Sequence, residues 1–145
     1  MCIFMSKHTL TKIWNEQKDR IKGYHIHIYF DKPQERLLVQ MLVDGVEKLF
    51  PEHIKGIYPV NIVGPHTKQN IEIDITREGQ KEIVEWLQSN NDNGLSILIH
   101  PDTGDDLRDH MNSSMWLGEP VPYNKGFFEK LLKARTSTKM NNHKP

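Results

Sequence analysis

From Tyr24 to Phe30 the chain reads Tyr-His-Ile-His-Ile-Tyr-Phe, an aromatic and β-branched run with a period of two, which predicts a strand. Asp31 or Lys32 stands near a helix cap, and Pro33 suits the first turn. Leu37, Leu38, Met41, Leu42, Val46 and Leu49 recur at three- and four-residue spacing, predicting an amphipathic helix over 34–50 that Pro51 stops. A second strand is expected over Ile57–Val63, closed by Gly64-Pro65-His66. Ile71-Glu72-Ile73-Asp74-Ile75 alternates fully and predicts a third. Thr76 is the expected N-cap of a second helix reaching Ser89, with Ile83, Val84 and Leu87 inward. The turn 90–94, Asn-Asn-Asp-Asn-Gly, leads into a fourth strand over Leu95–His100.

This order, β-α-β-β-α-β, predicts an α+β fold: a ferredoxin-like sandwich with an antiparallel sheet. Two helices would cover one sheet face and leave the other open. After His100 the pattern suggests a turn at Trp116-Leu117-Gly118, a short strand at Pro120–Tyr123 and a helix from Lys125 to Arg135. One domain is expected over 21–135. It would be preceded by an arm over 1–20, with a short helix at Thr11–Arg20, and followed by a disordered tail over 136–145.

Periodicity also assigns sides. Tyr24, Ile26, Ile28 and Phe30 share the face under the helices, so His25, His27 and Tyr29 point to the open face. By the same rule Glu72 and Asp74 of the third strand, and Ser96, Leu98 and His100 of the fourth, turn to that side. Because the first and third strands are central in this topology and the fourth lies beside the first, His25, His27, His100, Glu72 and Asp74 gather on one face.

Composition narrows the setting. Lys+Arg and Asp+Glu both total 19, so no net field draws the chain to nucleic acid or an anionic membrane. The one cysteine, Cys2, forms no internal disulfide and sits too near the terminus to serve as a nucleophile. With no long apolar stretch and no secretory leader pattern, a cytoplasmic location is expected. The sequence carries no glycine-rich phosphate loop, nucleophile elbow or paired CxxC.

That leaves the histidines, 8 in all. A His-x-His pair on a strand is as readily structural as functional until a third imidazole arrives from a neighbouring strand. His25, His27, His100 and Glu72 are therefore the expected metal ligands. Two histidines and a carboxylate suit iron with open positions, while three histidines suit zinc equally, so the ligand set alone does not name the metal. His66 is expected to lie too far from His100 to share an ion; it would touch substrate or pair with Glu72. Asp109 would orient a nearby imidazole, and His110 or His66 would manage protons as catalytic residues. His8, His53 and His143 have no expected role.

The segments Tyr24–Phe30, Gly64-Pro65-His66 and, above all, Leu95–Asn124 resemble the DOPA 4,5-dioxygenase family of fungi and bacteria. The resemblance implies a ferredoxin-like fold and a homodimer, with Pro120–Tyr123 as an extra C-terminal strand that contributes to pairing. It also implies extradiol cleavage of a catechol such as DOPA by dioxygen, with a divalent metal, iron(II) or alternatively zinc. Family histidines match His25, His27, His66, His100 and His110. The chain departs from the pattern after His66, where Thr67-Lys68-Gln69-Asn70 replaces a proline and apolar residues. Two alternatives keep the fold: a binding module for a small aromatic ligand or a metal, without turnover, and a cofactor-independent isomerase or monooxygenase.

Overall fold

A computed structural model describes residues 6–142, with residues 13–18 and 137–142 described by backbone alone. The elements are α1 (Lys7–Lys18), β1 (Gly23–Phe30), α2 (Pro33–Leu49), β2 (Ile54–Val60), β3 (Gln69–Thr76), α3 (Gln80–Asn90), β4 (Ile97–Asp102), α4 (Asp106–Met111), β5 (Met115–Leu117) and α5 (Lys125–Asn142). The five strands form one antiparallel sheet in the order β2-β3-β1-β4-β5. This is the expected α+β fold, with β1 and β3 central and β4 beside β1.

Alternation along the strands builds the main core. Ile26 and Ile28 of β1, Ile73 and Ile75 of β3, and Ile97 and Ile99 of β4 point to one face. Val39, Val43 and Val46 of α2 and Ile83 and Leu87 of α3 pack onto them. Gly45 lets the two helices close: a Cβ there would meet the Trp86 ring at 2.2 Å. Thr76 caps as expected, accepting from the Gly79 amide at 3.3 Å, but the first turn it starts, Arg77–Gly79, is a tighter 3₁₀ turn.

Several boundaries move for local reasons. β2 begins and ends three residues early, so exposed Ile62 and Val63 lie in the loop after it. β4 starts at Ile97 because the Asn91 side chain holds both the amide and the carbonyl of Leu95 in the turn. The extra strand is Met115–Leu117, paired to β4, and not Pro120–Tyr123. Pro120 and Pro122 lack the N–H a ladder needs, and Gly118, at φ 69°, turns the chain away first. α1 begins before the expected Thr11, and α5 runs past Arg135 to Asn142, so the part of the expected tail over 136–142 is helical. Cys2 and His143 lie outside the described residues.

The second face of the sheet is not open. α4, the segment 118–124 and the start of α5 fold across it. Tyr29, Leu98 and Val121 form a small second core there, with Trp116 and Tyr123 against it. Leu98, expected to turn toward solvent, is fully buried. The C-terminal segment thereby converts a solvated sheet face into the wall of a desolvated site. Among the described residues no helix is long and apolar enough to cross a membrane.

Candidate metal centre

Four imidazoles meet between the sheet and this cover. His27 comes from the middle of β1 and His100 from β4; their rings stack at 5.2 Å. His66 arrives from the loop after β2, its ring 4.4 Å from that of His27. His110 arrives from α4, its ring 4.0 Å from His100 and 6.3 Å from His66. All four are buried, His27 to 1% exposure and His100 to 2%. Ring nitrogens of His27, His66 and His110 lie within 4.8 Å of one another, as do those of His25, His27 and His100.

His66, expected to lie too far from His100 to share an ion, comes within 4.8 Å of His27 and His110 instead. Gly64, at φ 61°, reverses the chain after β2, and the His66 amide bonds back to Val63. Its ring is thus brought over β1. The loop is fastened to the cover by Asn124 N–H to the Pro65 carbonyl and by the Thr67 hydroxyl to the Pro122 carbonyl. His66 pairs with Tyr29, whose hydroxyl lies 2.7 Å from its Nδ1, and not with Glu72.

His25 and Glu72 sit at the rim. His25 is the direct cross-strand neighbour of both Asp74 and His100. Its Nε2 lies 3.6 Å from Asp74 and 3.8 Å from Asp102. Glu72, opposite His27, brings a carboxylate oxygen to 3.7 Å from His27 Nε2. Asp109 has a different job from the one expected. Its two oxygens accept from the amide and hydroxyl of Thr103, at 2.9 and 2.7 Å, so it ties the β4–α4 loop and not an imidazole. α4 is further held by Asp105, which caps the Arg108 amide, and His110 is walled in by Tyr123 and Phe128.

Burial sets the electrostatics. It holds His27 well below the ordinary 6.5, with the nearby His66 and His100 adding to the effect. It brings His100 to about 3 and His66 to about 4, and lowers His110. Glu72 is raised to about 8 by burial and by the Asp74 carboxyl beside it. At neutral pH the cluster is therefore a set of uncharged imidazoles.

Hydrogen bonds then decide where the lone pairs go. His27 Nδ1–H donates to the Asn70 side-chain oxygen at 2.9 Å. His100 Nδ1–H donates to the Pro101 carbonyl at 2.9 Å, and His110 Nδ1–H to the Asp106 carbonyl at 2.8 Å. In each ring the proton is on Nδ1 and Nε2 carries a bare lone pair. Yet Nε2 of His27 and Nε2 of His100 face each other at 3.2 Å. Two lone pairs at that distance repel unless a cation lies beside them. Nitrogens about 2.1 Å from a common ion stand about 3.0 Å apart in an octahedron and about 3.4 Å apart in a tetrahedron. The donor set therefore fits a divalent transition ion. Imidazole donors with carbonyl or amide oxygens on the far nitrogen are the usual support of such a centre.

Two contributors were not among the expected residues: Tyr29 and Asn70. Tyr29 follows from alternation alone, and Asn70 follows once β3 is seen to start at Gln69. Tyr29 is two residues from His27, and Asn70 is two residues before Glu72, on the same faces.

The chain matches the Dopa 4,5-dioxygenase family over residues 24–127, a span that contains His25, His27, His66, His100 and His110. It is 32% identical over 127 residues to the DOPA 4,5-dioxygenase of Amanita muscaria, an alignment covering 83% of this chain but 55% of that protein. An uncharacterized 21.2 kDa protein of Botryotinia fuckeliana is 28% identical over 128 residues, covering 81% of this chain and 69% of that protein. A crystal structure from Nostoc punctiforme, of a protein provisionally assigned as a dioxygenase, superposes with a TM-score of 0.70 at 31% identity. That likeness covers 79% of this chain and 96% of the Nostoc chain.

Proposed function

Because this chain belongs to the Dopa 4,5-dioxygenase family, we propose that it is a metal-dependent enzyme that opens the ring of a catechol with dioxygen by extradiol cleavage. The observation that carries the reading is the pair of opposed Nε2 atoms of His27 and His100, 3.2 Å apart in a buried, uncharged setting.

His27 and His100 would hold the metal, since each has its Nδ1 proton committed to an oxygen and its Nε2 directed at the other, with His25 or His110 as the third imidazole. Glu72 is the carboxylate at hand as a further ligand. When bound, a divalent ion, iron(II) for this chemistry, supplies positive charge that favours the catecholate and a common point for substrate and dioxygen. His66 differs from His27, His100 and His110. Its Nδ1 partner is the Tyr29 hydroxyl, which both donates and accepts. That lets the His66 proton shift between Nδ1 and Nε2, so His66 can take a proton from the catechol hydroxyl and return it to the opened product. Tyr123, Phe128 and Leu98 keep bulk water from the buried side. His25, Glu72, Asp74 and Asp102, all partly exposed, mark the side from which substrate enters.

The test starts from chelated protein, loaded with iron(II) without air and mixed with a panel of catechols before air is admitted. Dioxygen uptake together with a yellow ring-opened chromophore is expected, and His27→Ala should lose both metal and turnover. Metal binding with no dioxygen uptake on any catechol would reduce the protein to a binding module. Turnover that survives chelation would point to cofactor-independent chemistry.

A further inference from the structure

Asn70 is the least exposed amide side chain of the site, at 1% exposure. It lies in β3 opposite Tyr29 and so diagonal to His27. Its amide makes two hydrogen bonds. The nitrogen donates to the Lys68 backbone carbonyl at 3.3 Å, and the oxygen faces His27 Nδ1 at 2.9 Å. A backbone carbonyl only accepts, so the amide is fixed with its nitrogen toward Lys68 and its oxygen toward the ring. That oxygen also only accepts, so the ring must present N–H at Nδ1. The tautomer of His27 is thus dictated, through Asn70, by one main-chain carbonyl.

We propose that Asn70 is a positioning residue that fixes the His27 Nδ1–H tautomer and so aims the His27 Nε2 lone pair at the metal. The inference rests on the metal-centre reading above, but its first consequence is visible without any metal. Two features make Asn70 more than a buried amide that happens to be satisfied. His27 is shared by both all-histidine groups whose ring nitrogens come within 4.8 Å of one another, so its orientation bears on each of them. Asn70 also ends the run Thr67-Lys68-Gln69-Asn70, where the chain departs from the pattern it resembles. That run is anchored at both sides. Thr67 bonds to Pro122, and Lys68 pairs with Asp31 at 3.0 Å, so the carbonyl that orients Asn70 is itself held. A neutral amide, in place of a carboxylate, leaves His27 an uncharged donor.

The test compares the intact chain with Asn70→Ala, Asn70→Leu and Asn70→Asp, with circular dichroism to confirm folding. In metal-free protein, nitrogen-15 NMR of the histidine rings should show His27 wholly as the Nδ1–H form. In Asn70→Ala and Asn70→Leu the Nε2–H form should appear, since nothing then holds the proton on Nδ1. Titration with cobalt(II) alone, read by its visible absorption, should show affinity about 10- to 100-fold weaker in those variants. Asn70→Asp, which keeps an acceptor oxygen in nearly the same volume, should recover the Nδ1–H form and the affinity. If Asn70→Ala and Asn70→Leu do not fold, Asn70→Asp carries the test: loss of the Nδ1–H form, or a tenfold weaker affinity, overturns the inference. An unchanged tautomer and affinity in folded Asn70→Ala overturn it equally. A wild-type chain that shows the Nδ1–H form yet binds no cobalt(II) instead sinks the metal-centre reading.

Discussion

Acidifying the metal-free protein should unfold it over a window that the buried histidines set. In the unfolded chain His100 and His66 take a proton near 6.5; in the fold burial holds them to about 3 and about 4. A depressed folded-state value means the stability is intact above pH 6.5 and is lost as pH falls toward the folded values. Each such proton costs about 1.4 kcal/mol per pH unit. From pH 6.5 to 4.5 the two rings together cost about 4 kcal/mol. Glu72 acts in the opposite sense. Raised from 4.5 to about 8, it favours the folded state most below 4.5, so acidification returns stability. Over the same interval it returns about 2 kcal/mol, which leaves a net loss of about 2 kcal/mol. His27 and His110 are also lowered and add to that loss, whereas Asp105, lowered from 3.8, acts below the window. Urea unfolding of chelated protein at pH 6.5 and 4.5 measures the difference. Glu72→Gln removes the offset and should steepen the loss toward about 4 kcal/mol. Equal or greater stability of the chelated wild type at pH 4.5 would refute the claim that these rings are buried and neutral.

Three substitutions probe the supports of the site. Asp109→Ala should cost about 1–3 kcal/mol in thermal or urea unfolding, because it leaves the partly buried amide and hydroxyl of Thr103 without their acceptor; an unchanged midpoint would contradict the role given to Asp109. Tyr29→Phe should keep metal content by elemental analysis yet slow ring opening about 10- to 100-fold, since only the proton path through His66 is altered; metal loss at unaltered turnover per bound ion would argue against that path. Gly45→Ala would ordinarily gain about 1 kcal/mol in a helix, but the contact at 2.2 Å with the Trp86 ring should reverse the sign, to a loss of about 1–3 kcal/mol by thermal unfolding. A more stable Gly45→Ala would show that α2 and α3 do not close on that glycine.

The strands and their faces were legible because a period of two is a local property. Ile26, Ile28, Ile73 and Ile75 declare the core, and their neighbours His25, His27, Glu72 and Asp74 must then face the other way. What the pattern hid was the cover on that other face. Val121 and Leu98 read as a residue of a short strand and an outward one, yet each is buried against Tyr29. Nothing local to either residue announces that contact, which spans much of the chain. The approach of His66 was hidden for a related reason. The direction of the strand before it predicts separation, but a left-handed Gly64 reverses the loop, and only the tertiary bonds from Pro65 to Asn124 and from Thr67 to Pro122 show where the loop lands. Asp109 looked like a partner for an imidazole because a carboxylate beside a histidine usually is. Its actual partner, Thr103, is six residues back, across the turn at Gly104. Asn70 was hidden by a strand boundary. The expected third strand begins only at Ile71; the strand in fact starts at Gln69, which puts Asn70 on the face of Glu72.

Crystals soaked with iron(II) or cobalt(II) and measured at the metal's absorption edge test the central claim most directly. The account predicts a single anomalous peak about 2.1 Å from Nε2 of both His27 and His100. A peak confined to the rim at His25, Glu72 and Asp74, or none at all with the His27 and His100 nitrogens still opposed, would contradict it.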